Sequence, residues 1–482
     1  MKKILSITAL PLLAGGVLNA QAAGFEKGIS WGARSAGMGG NAVSTSTGPE
    51  ALYFNPSGLA SGPGFGTTVQ FSPTWVNVSG PALQSNVVVD SKKQTIPFAG
   101  VLGSYGVNED LSFGVGVYAA GGLRAVYEGL DVAALNANFD GFSGTTKSEL
   151  TMIEASLGGA YRIMPGLKVG ASWRAAFVTG NFQSTVLQST DLGAISAQLA
   201  GNSLNVLTTA GLKDLTAKNF AGFRLGAQYE PEGANWGAGL SVRTPITIKM
   251  KGATHATNKA YFDGTGPLAG IEATNAANEI VEATGGEGTA EASFPTQIAL
   301  GSHFDLMDKK LRLHVGYSWA NYKSVSKIDV GGSVTTGKVV SDTQINAMTN
   351  VSAALGAGVA ANANGKASDL PDFETNWKDE HTGRLGVEYM GLESWVLRAG
   401  YAISTAVTPA AYGRATFSAP GAGHSLTAGV GKGFLGNTLV ADLALEYGWQ
   451  KGTIEASTAN GGIGGDQKTS ALGLHTGVSY FF

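Results

Sequence analysis

The 482-residue chain has no cysteine and only 14% charged residues, and beyond its N-terminal stretch it has no apolar run long enough for a membrane helix. Without cysteine, disulfide staples and thiolate metal or redox sites are excluded. A net charge of −3 with no basic block gives nucleic acid nothing to bind. The six histidines are scattered from His255 to His475 with no metal-ligand spacing, so no metal is expected. There is no Gly-Lys-Ser phosphate loop. Gly28-Ile29-Ser30-Trp31-Gly32 matches a nucleophile elbow in letters only, because no strand precedes it and no helical pattern follows. Neither an enzyme nor a cofactor is called for.

What the chain does have is alternation, and 71 glycines to turn and kink it. Met1-Lys2-Lys3, an apolar run from Ile4 to Leu18 and the small-x-small Ala20-Gln21-Ala22 predict an export signal over residues 1–22. The run is too short to span a bilayer, so any membrane crossing falls to strands. The last residues, Gly477-Val478-Ser479-Tyr480-Phe481-Phe482, alternate and close on an aromatic, as the final strand of an outer-membrane barrel does.

From Phe65 onward, alternating segments are joined by gaps of two kinds. Short polar turns stand at Asn108–Asp110, Met164–Gly166, Pro231–Asn235, Met307–Lys309, Gly391–Glu393 and Leu435–Asn437. Longer connections separate these hairpins, near 80–92, 128–147, 184–217, 252–291, 331–373, 409–421 and 456–468. This sorting predicts an all-β fold: a transmembrane antiparallel β-barrel of about 14 strands over 65–482, with its long loops outside the cell. Leu311, Leu313, Val315, Tyr317 and Trp319 oppose Arg312, His314 and Ser318, and Leu439 to Trp449 repeat the pattern. The apolar face of such a barrel meets lipid. The interior then holds Arg174, Arg224, Arg243, Arg312, Arg384, Glu388, Arg398, Asp442, Glu446 and His475. Two readings stay open for these charges: a paired network that fills the interior, or a ligand site.

Residues 23–64 are Gly-rich and do not alternate. They contain Gly37-Met38-Gly39-Gly40 and then Ala51-Leu52-Tyr53-Phe54-Asn55-Pro56-Ser57-Gly58-Leu59-Ala60. Here the chain resembles the FadL/TodX family of outer-membrane transporters for hydrophobic compounds. Asn55, Pro56, Gly58 and Leu59 match that family's motif, with Ser57 in place of its usual Ala. Thr47-Gly48 stands where the family often has two acids, which leaves no role for such acids here. Gly122-Leu123-Arg124-Ala125-Val126-Tyr127, Leu240-Ser241-Val242-Arg243-Thr244-Pro245 and Arg384-Leu385-Gly386-Val387-Glu388-Tyr389 resemble later family segments.

The resemblance implies a monomer in the Gram-negative outer membrane, in contact with its lipid, whose N-terminal segment folds inside the barrel as a hatch. A hydrophobic ligand, either a long-chain fatty acid or an aromatic hydrocarbon, would enter from outside and leave sideways through the wall. Glycine-rich Ala119 to Gly122 is the expected interruption, with Ala120, Gly121, Gly122 and Leu123 at the opening; an ordinary bulge is the alternative. Arg174 and Arg243 are the lumen cations on the fifth and seventh strands that could meet a carboxylate. Leu192, Ile195 and Leu199 recur at helical spacing in loop 184–217, as Ile345, Met348, Leu355 and Val359 do in loop 331–373. Both loops are therefore expected to be partly helical, the first forming an apolar landing groove. The competing function is a porin for small polar solutes with a structural plug.

Overall fold

Alternation produces long strands, and long strands need a sheet that hides every edge. The computed structural model describes residues 31–193, 200–264, 281–351, 353, 356–358, 360 and 364–482. The export signal lies outside the described residues, as do Ile195, Leu199, Leu355 and Val359. The strands form one closed antiparallel barrel of fourteen. In order these are β1 (Gly64–Gly80), β2 (Gln94–Gly106), β3 (Leu111–Asp131), β4 (Ser143–Met164), β5 (Leu167–Asp191) and β6 (Asn202–Tyr229). Three further strands are interrupted: β7 (Trp236–Arg243, resuming as Ile246–Gly264), β8 (Val281–Gly285, Glu287–Phe294 and Gln297–Leu306) and β9 (Leu311–Ala320, then Lys327–Gly331 and Ser333–Thr335). The remainder are β10 (Ala367–Asp369 and Phe373–Glu374, then Glu380–Leu392), β11 (Trp395–Ser404), β12 (Gly423–Phe434), β13 (Leu439–Ile454) and β14 (Gly465–Phe481).

Closure is made by β1 and β14, paired from Gly66↔Phe481 to Ser79↔Lys468. The C-terminal residue seals the end of this seam. Phe65 N–H donates to the Phe482 carbonyl (2.6 Å), Phe482 N–H donates back (2.9 Å), and the two rings sit 4.9 Å apart. Outward residues such as Val69, Phe71, Val115, Leu157, Leu385 and Leu445 are exposed and apolar, as a lipid-facing wall requires.

The strands run well beyond the loop boundaries read from sequence. β5 continues to Asp191 and β6 begins at Asn202, so most of 184–217 is strand, not helix. Val206 and Leu207, which continue the apparent helical spacing of Leu192, Ile195 and Leu199, are both buried in β6, as a strand covered on both faces allows. Leu192 sits at the tip, packed with Leu204, Phe262 and Met348. In the other long loop, Asp342–Val351 is a helix whose Met348 is buried and whose Ile345 packs beside it.

Candidate solute path through the barrel

Residues 31–60 lie inside the lower barrel, on the short-turn side. Their regular pieces are brief: α1 (Ala33–Ala36), α2 (Ala51–Phe54) and two 3₁₀ turns, Gly48–Glu50 and Pro56–Leu59. The Asn55-Pro56 step is held from both ends. Buried Asn55 accepts from Ser57 Oγ (2.7 Å) and donates to the carbonyls of Val43 (2.8 Å) and Ala227 (3.0 Å). One amide therefore ties two parts of the segment to each other and to β6. Wall glycines create the space for this contact. A Cβ at Gly170 would lie 2.5 Å from the Pro56 backbone, and one at Gly226 would overlap the Asn55 side-chain Oδ1. Across the lumen, Gly39 N–H donates to Thr427 Oγ1 on β12 (3.0 Å), with Gly39 in the left-handed region (φ 66). Trp31 stacks on Tyr53 at 5.4 Å, and the Arg224 guanidinium lies over Tyr53 while donating to the Leu52 carbonyl (3.1 Å).

Around this segment several interior charges are paired. Arg398 binds Glu388 (2.7 Å) and Asp442 (2.6 Å), and Arg34 of α1 reaches the same Glu388 (3.4 Å). Arg312 forks onto Asp305 (2.5 and 2.7 Å), and His475 bridges Glu446 (2.9 Å) and Ser72 (3.0 Å). Arg174 is wholly buried in a two-pronged contact with Glu154, whose carboxylate also receives the Tyr118 hydroxyl (3.1 Å). Breaking a buried pair of this kind costs about 3–5 kcal/mol. Arg174 is thus a partner of Glu154. Glu154, between Ile153 and Ala155 on the inward register, was the acid missing from the sequence reading. Arg243 is also buried and faces Arg224 across the β6–β7 ladder.

Above the charged floor the interior turns apolar. Val178 and Phe182 of β5, Leu212 and Leu215 of β6, Ile248 and Met250 of β7, and Phe294 of β8 belong to one buried cluster that reaches down to Trp31, Leu52 and Leu59. Tyr118, Ala120, Leu150 and Met152 extend it to β3 and β4. Apart from Ala120, none of these inward apolar side chains was singled out from sequence. A smaller cleft of about 160 Å³ opens near the external rim beside Ala82, Leu83, Leu135, Leu187 and Ile463.

The wall is interrupted where the glycines of β3 lie. The β3–β4 register slips between Ala119 and Gly121, leaving Ala120 as a bulge. The β2–β3 register runs from Gly106↔Ser112 to Gly100↔Tyr118 and stops. Beyond the ladder's end, Lys92 N–H donates to the Val126 carbonyl (2.7 Å) and Lys92 Nζ to Glu128 (3.2 Å). Residues 93–99 and 119–125 thus lie beyond the paired register of β2 and β3, and among them sits Pro97, which has no N–H to donate. Gly122 faces Leu150 and Phe98. A second break, between β6 and β7 near Thr244-Pro245, is stitched by side chains: Asn219 donates to the Thr247 carbonyl (2.7 Å), and Phe223 N–H donates to Thr244 Oγ1 (2.9 Å).

Residues 14–482 match the family model described as outer membrane protein transport protein (OMPP1/FadL/TodX). The chain belongs to this family. Outer membrane protein P1 of Haemophilus influenzae is 24% identical over 329 residues, 61% of this chain and 63% of the relative, so the chain spans under two-thirds of that relative's length. Two solved structures share the fold. A Pseudomonas aeruginosa FadL homologue is 14% identical, with a TM-score of 0.64 over 97% of this chain and 99% of its own. The P. putida toluene transporter TodX is 16% identical, with a TM-score of 0.65 over 94% and 98%. As a member of the OMPP1/FadL/TodX family, the protein resides in the Gram-negative outer membrane.

Within this family member, one titrating group bears on how the N-terminal segment is held. Glu50 accepts from Gln70 Nε2 (2.5 Å), and burial, followed by the nearby Asp442 carboxylate, pushes it up to about 7 against the pull of Arg34 and Arg398. A carboxyl raised on docking from its ordinary 4.5 favours the docked state most below that value and loses this contribution as pH rises through about 7. Hydrogen exchange of residues 48–54, corrected for intrinsic rate, is expected to quicken between roughly pH 5 and pH 8 in the wild type. Glu50→Gln should flatten that profile; an unchanged profile would assign the effect to another group.

Proposed function

We propose that this protein carries hydrophobic molecules passively into the outer membrane, through a barrel plugged by its N-terminal segment, 23–64 in the sequence reading. The observation that carries this reading is the buried apolar cluster above the plug, continuous with the bulge residue Ala120 at the unlaced β2–β3 stretch. An apolar solute entering from the external cleft gains free energy by leaving water for such surroundings. It would then leave sideways between β2 and β3, past Ala120, Gly121, Gly122 and Leu123. A porin for polar solutes would instead offer a wet, polar constriction. The closed sheet leaves no free edge for a partner, which supports a monomer.

The preferred substrate class is neutral, such as a monoaromatic hydrocarbon; the TodX structure is described as that of a toluene transporter. Arg174 already holds Glu154, so a carboxylate ligand would have to displace a buried acid. In proteoliposomes, a long-chain carboxylate and its methyl ester should therefore compete for toluene uptake with similar potency. A carboxylate that competes far better than its ester would assign a fatty acid and restore an anion site.

A further inference from the structure

The lipid-facing wall over the seam carries a pattern that solute transport does not use. Three successive outward rungs run across β1, β14, β13 and β12. The lowest is Trp75, Leu472, Tyr447 and Leu426. The next is Asn77, Ser470, Trp449 and His424, with Trp449 stacked on His424 at 5.2 Å and Tyr401 hydrogen-bonded to the same imidazole (2.7 Å). The top rung, toward the long-loop side, is Ser79, Lys468 and Lys451. Strand geometry puts about 7 Å between rungs. A groove of about 780 Å³ runs over this ladder and is joined from the side by Lys93.

Lys468 and Lys451 stand directly opposite each other in the β13–β14 register, an arrangement that destabilises a strand pair unless an anion lies between them. Among the described residues neither they nor Lys93 makes an ion pair. Asp90 also lines the groove, beside Ser79, and leaves the three lysines in excess. Asp466, one rung above Lys468, is hydrogen-bonded by Thr453 Oγ1 (2.8 Å). The contrasting cation at the opposite end of the wall, Lys432, is already placed over the Trp395 ring at 4.3 Å.

We propose that this groove binds a net-anionic lipid of the external leaflet through a phosphomonoester on its headgroup. Lys93, Lys451 and Lys468 would grip the phosphate, and the acyl chain would lie along Trp449, Tyr447 and Leu426. An ammonium on a long stem can reach from a lipid-facing Cβ to headgroup level, and indole and phenol rings are suited to the boundary beneath it. The chain direction also fits: charge lies at the external rim and apolar surface lies toward mid-membrane.

The test uses the full-length protein in a zwitterionic detergent, titrated with diphosphoryl lipid A and read by native mass spectrometry. One lipid should be retained per barrel, and the Lys93→Gln/Lys451→Gln/Lys468→Gln variant should bind it roughly a hundred-fold more weakly at low salt. Phosphatidylethanolamine should not be retained, and inorganic phosphate should not displace the bound lipid. Equal retention by the variant, or equal retention of phosphatidylethanolamine, would overturn the proposal. Displacement by inorganic phosphate would reduce the site to an ion site and overturn the lipid assignment. The three positions face outward, so the variant's heat-resistant folded band serves as its control, and Trp449→Ala gives a second variant that keeps every lysine and should still lose affinity.

Discussion

Deleting residues 31–60 is expected to turn a sealed barrel into a conducting one. Nearly all of this segment is buried, and its side chains occupy what would otherwise be lumen: Leu52 lies against Gly116 and Gly158, and Leu59 against Gly114. Eight-stranded barrels are filled by their own side chains, whereas porins of roughly 16–18 strands leave an aqueous channel. A barrel of fourteen lies near the second case and needs an insert to close it. The strand pairing and the Glu154–Arg174, Arg398–Glu388 and Arg312–Asp305 contacts are internal to the wall, so the shortened protein should still fold. In planar bilayers it should carry a steady ohmic current where the intact protein carries little or none. If the two conduct alike, the segment is not the seal.

Closing the β2–β3 gap should abolish uptake without harming insertion. Glycine at 121 and 122 gives the chain little reason to stay extended beside β2, and the Ala120 bulge turns it further away. Valine at both positions favours a regular pleat. A Cβ at Gly122 would come within 3.3 Å of the Leu150 carbonyl and 3.9 Å of the Phe98 ring, so the added bulk falls at the gap itself. The Gly121→Val/Gly122→Val protein should reach the membrane at normal levels and move toluene at close to the rate of empty vesicles. Transport at the wild-type rate would place the exit elsewhere, with the β6–β7 break at Thr244-Pro245 next in line.

Much of the barrel was legible because lipid and lumen impose opposite polarity on neighbouring residues. β9, with Leu311, Leu313 and Val315 set against Arg312 and His314, shows this plainly, and so does the aromatic end of β14. Legibility failed where the inward face is the apolar one. Phe182, Leu212, Ile248 and Met250 point inward while polar neighbours such as Lys249 and Lys251 point outward, the reverse of the polarity a lipid-facing wall imposes. The glycines facing Asn55 were equally silent, because a missing side chain has meaning only once its neighbour is known. Arg174 could be placed on the lumen face, but its partner could not: Glu154 is joined to it across the β4–β5 ladder, a pairing that depends on register.

The plug is anchored at opposite sides of the ring, through Asn55 on β6 and through Gly39 on β12. A closed sheet of this width can deform from round to oval at little cost, since bending spreads over every ladder. A rod fixed at both ends of a diameter resists that deformation. The insert would then be a strut as well as the proposed stopper, and on the proposed route a passenger wide enough to spread β2 from β3 would work against it. On that route, loosening the strut and parting β2 from β3 would be one mechanical event.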